Sequence, residues 1–238
     1  RSYSVTGVQT CALPISSGQL GTGGTYDRTT PTAVSGLTGV VAVSAGANHT
    51  CAIVTGGLVR CWGANGSGQL GDNTTVNKSA PVAVLLLGNA ASVAAGGNHT
   101  CVRLNDGTVS CWGANASGQL GDGTTVQKLQ PVSISGLTGV LTVMAGGSHT
   151  CALRSNGTIS CWGANTSGQL GLGDTTNRST PTSIGTMTGV VSLSLGMVHS
   201  CAVVDSGKGL LCWGEAGFGR LGTGNAIDRT TPVSVVVP

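Results

Sequence analysis

Apolar and polar residues alternate over short stretches, and the same stretches return along the chain. Val140 to Ala145 reads as one β-type run, His149 to Arg154 as a second and Thr158 to Gly163 as a third. Pro131 to Ile134 reads as a fourth, reached through the Gly-rich turn after Trp112. None follows a helical period. Four short strands per unit, with turn residues between them, predict a β-propeller blade. A β-solenoid is the alternative, although its coils are usually shorter than this unit.

The unit is set by repetition. His49, His99, His149 and His199 are each 50 residues apart. Cys51, Cys101, Cys151 and Cys201 keep the same step, as do Cys61, Cys111 and Cys161, each followed by Trp62, Trp112 or Trp162. The last copy is one residue longer, giving Cys212 and Trp213. Gly-Gln-Leu-Gly returns at Gly18, Gly68, Gly118 and Gly168, and Gly-Arg-Leu-Gly starts at Gly219. Four full units and a leading partial one define a repeat architecture. The expected fold is all-β, an incomplete arc of about four to five four-stranded blades spanning residues 16–238.

Hairpin loop length fixes which cysteines face each other. A three-residue loop at Ser155-Asn156-Gly157, with Gly in the left-handed region, puts Arg154 opposite Thr158 and Cys151 opposite Cys161. Asn105-Asp106-Gly107 and Thr55-Gly56-Gly57 repeat that loop, and the last is one residue longer around Ser206-Gly207. Opposed strand residues have Cβ atoms roughly 4.5–5.5 Å apart, close to what a disulfide needs. The expected pairs are Cys51–Cys61, Cys101–Cys111, Cys151–Cys161 and Cys201–Cys212. Buried thiols packing as small apolar groups are the alternative. Disulfides imply an oxidising compartment.

Composition excludes several classes. Of 238 residues 41 are Gly, only 8% are charged and the net charge is +3. A disordered chain carries more charge, and a nucleic-acid binder clusters more Lys and Arg. No stretch approaches the about 20 apolar residues of a membrane span. Val5 to Ile15 does not follow the repeat and resembles a translated sequencing adapter. Residues 1–15, with the ninth cysteine Cys11, are therefore set aside as non-native. The remainder is read as a piece of a longer protein.

The runs Gly96-Gly97-Asn98-His99-Thr100-Cys101, Cys111-Trp112-Gly113-Ala114-Asn115 and Ser117-Gly118-Gln119-Leu120-Gly121 resemble the regulator of chromosome condensation repeat family. The resemblance implies a β-propeller, most often of seven blades. The paired cysteines look like the family's bacterial secreted or surface branch. Family members include a nucleotide exchange factor for a small nuclear GTPase and a plant ultraviolet receptor. The receptor's Gly-Trp-Arg-His-Thr reads here as Gly46-Ala47-Asn48-His49-Thr50, which argues against photoreception.

No catalytic constellation appears, and no cofactor is implied. The four His occupy one repeated position and read as architecture. His149 shares a strand face with Cys151, but a His-Cys-Cys set lacks the fourth ligand that structural zinc takes. Arg28, Lys78, Lys128, Arg178 and Arg229 recur three residues before a Pro and define a possible basic binding rim. Pairing of Lys78 with Asp72 and of Lys128 with Asp122 is the competing explanation. The functional expectation is a non-enzymatic binding scaffold of a secreted or surface-exposed bacterial protein. Its loops would present a surface to an unknown protein or glycan, with no nucleic acid. An adhesive segment of a large surface protein, an accessory domain beside a catalytic one, and a guanine nucleotide exchange factor are the alternatives.

Overall fold

The computed structural model describes residues 16–185, 187–204 and 209–236. They form four sheets. Sheet 1 holds β1 (Val40–Ala45), β2 (His49–Val54), β3 (Leu58–Gly63) and β4 (Lys78–Ala83). Sheet 2 holds β5 (Ala90–Ala95), β6 (His99–Leu104), β7 (Val109–Gly113) and β8 (Lys128–Ser133). Sheet 3 holds β9 (Val140–Ala145), β10 (His149–Arg154), β11 (Ile159–Gly163) and β12 (Arg178–Ser183). Sheet 4 holds β13 (Val190–Leu195), β14 (His199–Val204), β15 (Gly209–Gly214) and β16 (Arg229–Ser234).

Each sheet is an antiparallel meander in chain order. The first strands of successive sheets touch, β1 with β5, β5 with β9 and β9 with β13. They therefore line a common axis, and the fourth strands form the outer edges. Pro81, Pro131, Pro181 and Pro232 all lie in those edge strands, where a missing N–H costs no ladder bond.

One expectation is corrected here. Residues 131–134 were assigned to the unit of Val140 to Ala145. Instead β8 pairs with β7, Ser133 opposite Ser110 and Lys128 opposite Gly113, so it closes the preceding sheet. The long Gly-rich loop returns the chain to the strand it has just left, because Asn115 holds that loop to its own start. A β-meander needs only this local return.

Apolar packing lies between sheets. One cluster joins Ile53, Val59 and Cys51 of sheet 1 to Ala90, Val102 and Trp112 of sheet 2. A second joins Cys101 and Val109 to Val140, Ala152 and Trp162. A third joins Cys151, Leu153 and Ile159 to Val190, Ala202 and Trp213. Val34 packs on Ala52 and Trp62, so the segment after residue 16 covers the free side of sheet 1. The described residues thus show an all-β array of propeller-like repeats. Residues 1–15, Cys11 among them, and the Ser206-Gly207 loop lie outside the described residues.

Candidate functional site

The most elaborate polar arrangement is the joint between neighbouring sheets. His49 Nε2 lies 2.9 Å from Thr100 Oγ1, His99 Nε2 2.9 Å from Thr150 Oγ1, and His149 Nε2 3.0 Å from Ser200 Oγ. Each hydroxyl in turn donates to a backbone carbonyl: Thr100 to Gln69, Thr150 to Gln119 and Ser200 to Gln169. A hydroxyl that has given its proton away can only accept, so the imidazole carries its proton on Nε2. The same carbonyls accept a second bond from an indole. Trp112 Nε1 donates to Gln69 O at 2.9 Å, Trp162 to Gln119 O at 3.0 Å and Trp213 to Gln169 O at 2.9 Å. Thr50 and Trp62 do the same to Gln19.

Burial keeps these rings neutral. His49 is lowered to about 4 by desolvation, and His99 and His149 to about 3, first by desolvation and then by neighbouring imidazoles. His199 is lowered by partial burial and by Arg220, against the opposing pull of Glu215. Its ring makes no hydrogen bond among the described residues. The four Nδ1 atoms are buried without a partner. The rings of His49, His99 and His149 thus each bond to the next sheet. The ring reaches there because Gly46, Gly96, Gly146 and Gly196, three residues earlier, leave no Cβ in its path.

Sequence reasoning passed over the partners of His and Trp, although they repeat equally strictly. Gly-Gln-Leu-Gly marks them. Its last glycine lets Trp approach: a Cβ on Gly71 would stand 2.8 Å from Trp112 Nε1. The preceding Asn65 folds the loop, since its Oδ1 accepts from Leu70 N–H while its Nδ2 donates to the Thr74 and Val76 carbonyls. Asn115 and Asn165 repeat this.

Cys51 and Cys61, Cys101 and Cys111, Cys151 and Cys161, and Cys201 and Cys212 form disulfides across the second and third strands of each sheet. Among the basic residues, Lys78 pairs with Asp72 at 3.7 Å, Lys128 with Asp122 at 3.4 Å and Arg178 with Asp174 at 2.6 Å. Arg229 reaches Asn225 at 3.5 Å, and Arg28 is exposed. Near the axis, Gly46, Gly96, Gly146 and Gly196 line a cavity of about 290 Å³ with their neighbours, Leu195 and Met197 among them. Among the described residues no three His, Cys, Asp or Glu converge as metal ligands, and no helix is long and apolar enough to cross a membrane.

Four-stranded meanders stacked around an axis by a repeating His–hydroxyl–carbonyl–indole joint define a propeller-type repeat protein. A sequence model described as RCC1-like domain matches residues 7–238, and the chain belongs to that family. Among solved structures, human WBSCR16 is similar at 25% identity with a TM-score of 0.82, over 94% of this chain and 61% of that one. Yeast Prp20p, described with its binding properties to Gsp1p and histones, is similar at 22% identity with a TM-score of 0.76, over 87% and 53%. Yeast RCC1 (Prp20) bound to Kap60 is similar at 22% identity with a TM-score of 0.72, over 82% and 48%. The chain thus spans about half to three-fifths of these relatives. None of the curated protein sequences compared with it matches.

These relatives overturn the expectation of a bacterial, secreted or surface-exposed protein with an unknown protein or glycan partner. They are human and yeast proteins, and the partners recorded for the yeast one are Gsp1p, histones and Kap60. The physical reason is plain: a cysteine pair reports that two strand positions face each other, and that register carries no information about lineage.

Proposed function

We propose that this chain is a partner-binding part of an RCC1-like propeller that docks a small GTPase of the Gsp1p kind. It acts there as a guanine nucleotide exchange factor or scaffold and performs no covalent chemistry. The observation that carries this reading is the use of the repeated polar groups. His, Trp and the Gln carbonyls are bonded inside the joints, which leaves the loop side chains to meet a partner, and the yeast relative binds Gsp1p. Four of five equivalent exposed loop positions carry large apolar or aromatic side chains, Tyr26 (79%), Val76 (62%), Val126 (62%) and Ile227 (61%), with Thr176 at the fifth. Such a row is what a protein partner covers. Arg28 and Arg229 stand two residues after its two ends, and the rim Lys78, Lys128 and Arg178 runs between them.

In the same reading the four sheets are an arc of a closed, seven-bladed ring. The outer face of sheet 4 supports closure. Val203 (42%) and Leu210 (41%) are exposed there, whereas the equivalent Ile53 and Val59 are buried under sheet 2. The test is release of a fluorescent guanine nucleotide from the yeast GTPase. The folded chain should bind the GTPase and accelerate release, and Val76→Asp with Val126→Asp should abolish both without lowering the melting temperature. A folded chain that neither binds nor accelerates release would exclude the reading.

A further inference from the structure

In a repeat protein the departures from the repeat are where individuality lies, and one departure is large. Ile53, Arg103, Leu153 and Val203 are equivalent, each two residues after a Cys. Ile53 and Leu153 face the following sheet within the apolar clusters. The next residue in each unit faces the preceding sheet, and there Leu104 and Val204 join those same clusters. Joint 1–2 therefore brings Ile53 and Leu104 to one level, and joint 3–4 brings Leu153 and Val204. At that level joint 2–3 has Arg103 and Arg154.

The backbone leaves no doubt about direction. Arg103 is the ladder partner of Val109, a member of the cluster between sheets 2 and 3, and shares a face with Cys101. Arg154 shares a face with Ala152 of that cluster. Across the first pair of strands, Ser92 is the ladder partner of Arg103. Arg103, Arg154 and Ser92 thus face the same joint at one level, at its hairpin end.

All three groups are incompletely satisfied. Arg103 Nε, Arg154 Nε and Ser92 Oγ are buried and have no hydrogen-bond partner. Arg103 Nη1 donates to the Leu104 carbonyl at 3.2 Å, which uses one of its five N–H bonds. Neither arginine belongs to an ion pair among the described residues. The acidic residue nearest in sequence, Asp106, accepts from the N–H and hydroxyl of Thr108. Two half-buried cations at one level of a joint repel each other, and an anion that takes several N–H donors at once relieves both charge and donors.

We propose that Arg103, Arg154 and Ser92 form a binding site for a phosphate-class dianion. Two positive charges match two negative ones, the planar forks suit tetrahedral oxyanions, and the hydroxyl supplies a further donor. The site is independent of the GTPase reading.

The experiment melts the chain in inorganic phosphate and in sodium chloride at matched ionic strength, with phenyl phosphate as a second arm. At about a hundred times its dissociation constant the anion should raise the melting temperature by about 5 °C. Arg103→Ile with Arg154→Leu supplies the residues of joint 1–2, so this variant should fold, melt higher than the parent in chloride and ignore phosphate. Arg103→Lys keeps the charge without the fork and should weaken phosphate about tenfold by calorimetric titration. A response to inorganic phosphate alone assigns the free ion, and a larger one to phenyl phosphate assigns a monoester. Equal melting of the parent in all three salts, or a phosphate response that survives in the double variant, would overturn the proposal.

Discussion

Joint 1–2 and joint 2–3 are built alike at one end and differently at the other. Near the axis both use a neutral His, a Thr hydroxyl, a Gln carbonyl and a Trp indole, with bonds that differ by no more than 0.1 Å. At the hairpin end one closes on Ile53 and Leu104 and the other on Arg103 and Arg154. The comparison separates two roles that a repeat superimposes. What recurs holds neighbouring sheets together, and what departs gives one joint a property the others lack.

Acid attacks the shared end of all three joints and should have the largest effect. The unfolded chain protonates its histidines near pH 6.5, while the folded rings resist until about 4 for His49 and about 3 for His99 and His149. Stability is therefore complete above the unfolded value and is lost as pH falls toward the folded ones. By pH 5 the loss should be about 2 kcal/mol for each of these rings, read from urea unfolding at pH 7.5 and 5. Moving the charge of joint 2–3 into joint 1–2 comes next. Ile53→Arg puts an unpaired cation against Val59 and Trp112 and should cost about 3–5 kcal/mol in the same assay. If it costs nothing, the arginine joint is not special.

Smaller effects sharpen the shared end. Thr100→Val removes the acceptor of His49 and a donor to Gln69, and should cost about 1–3 kcal/mol. Thr150→Val should match it, because the hydroxyl does the same work in both joints. Thr50→Val loses only its bond to the Gln19 carbonyl and should cost about 1 kcal/mol. Equal losses at all three would show that the histidine bond contributes nothing.

Much of this was legible in the chain. The 50-residue step gave the unit, and the three-residue hairpin loops gave the register: Cys151 stands opposite Cys161, as the loop length implies. The fourth strand is the exception, because its hydrophobic pattern is short and β8 begins at Lys128 with Pro131 on an open edge. The joint itself was half legible. His and Trp drew attention as large residues, but the Gln69 contribution is a backbone carbonyl, which no side chain announces. Arg103 and Arg154 were visible only by aligning the units and asking which sheet each position faces, and that needs the sheet stacking as well as the period.

Ring nitrogen chemical shifts of the four histidines, followed from pH 7.5 to pH 4.5 by NMR, test the joint most directly. The account predicts that His49, His99 and His149 hold the Nε2–H neutral form down to about pH 5, while His199, on the uncovered face, titrates closest to an ordinary imidazole. Four histidines titrating together near pH 6.5, or Nδ1–H tautomers at the first three, would contradict it.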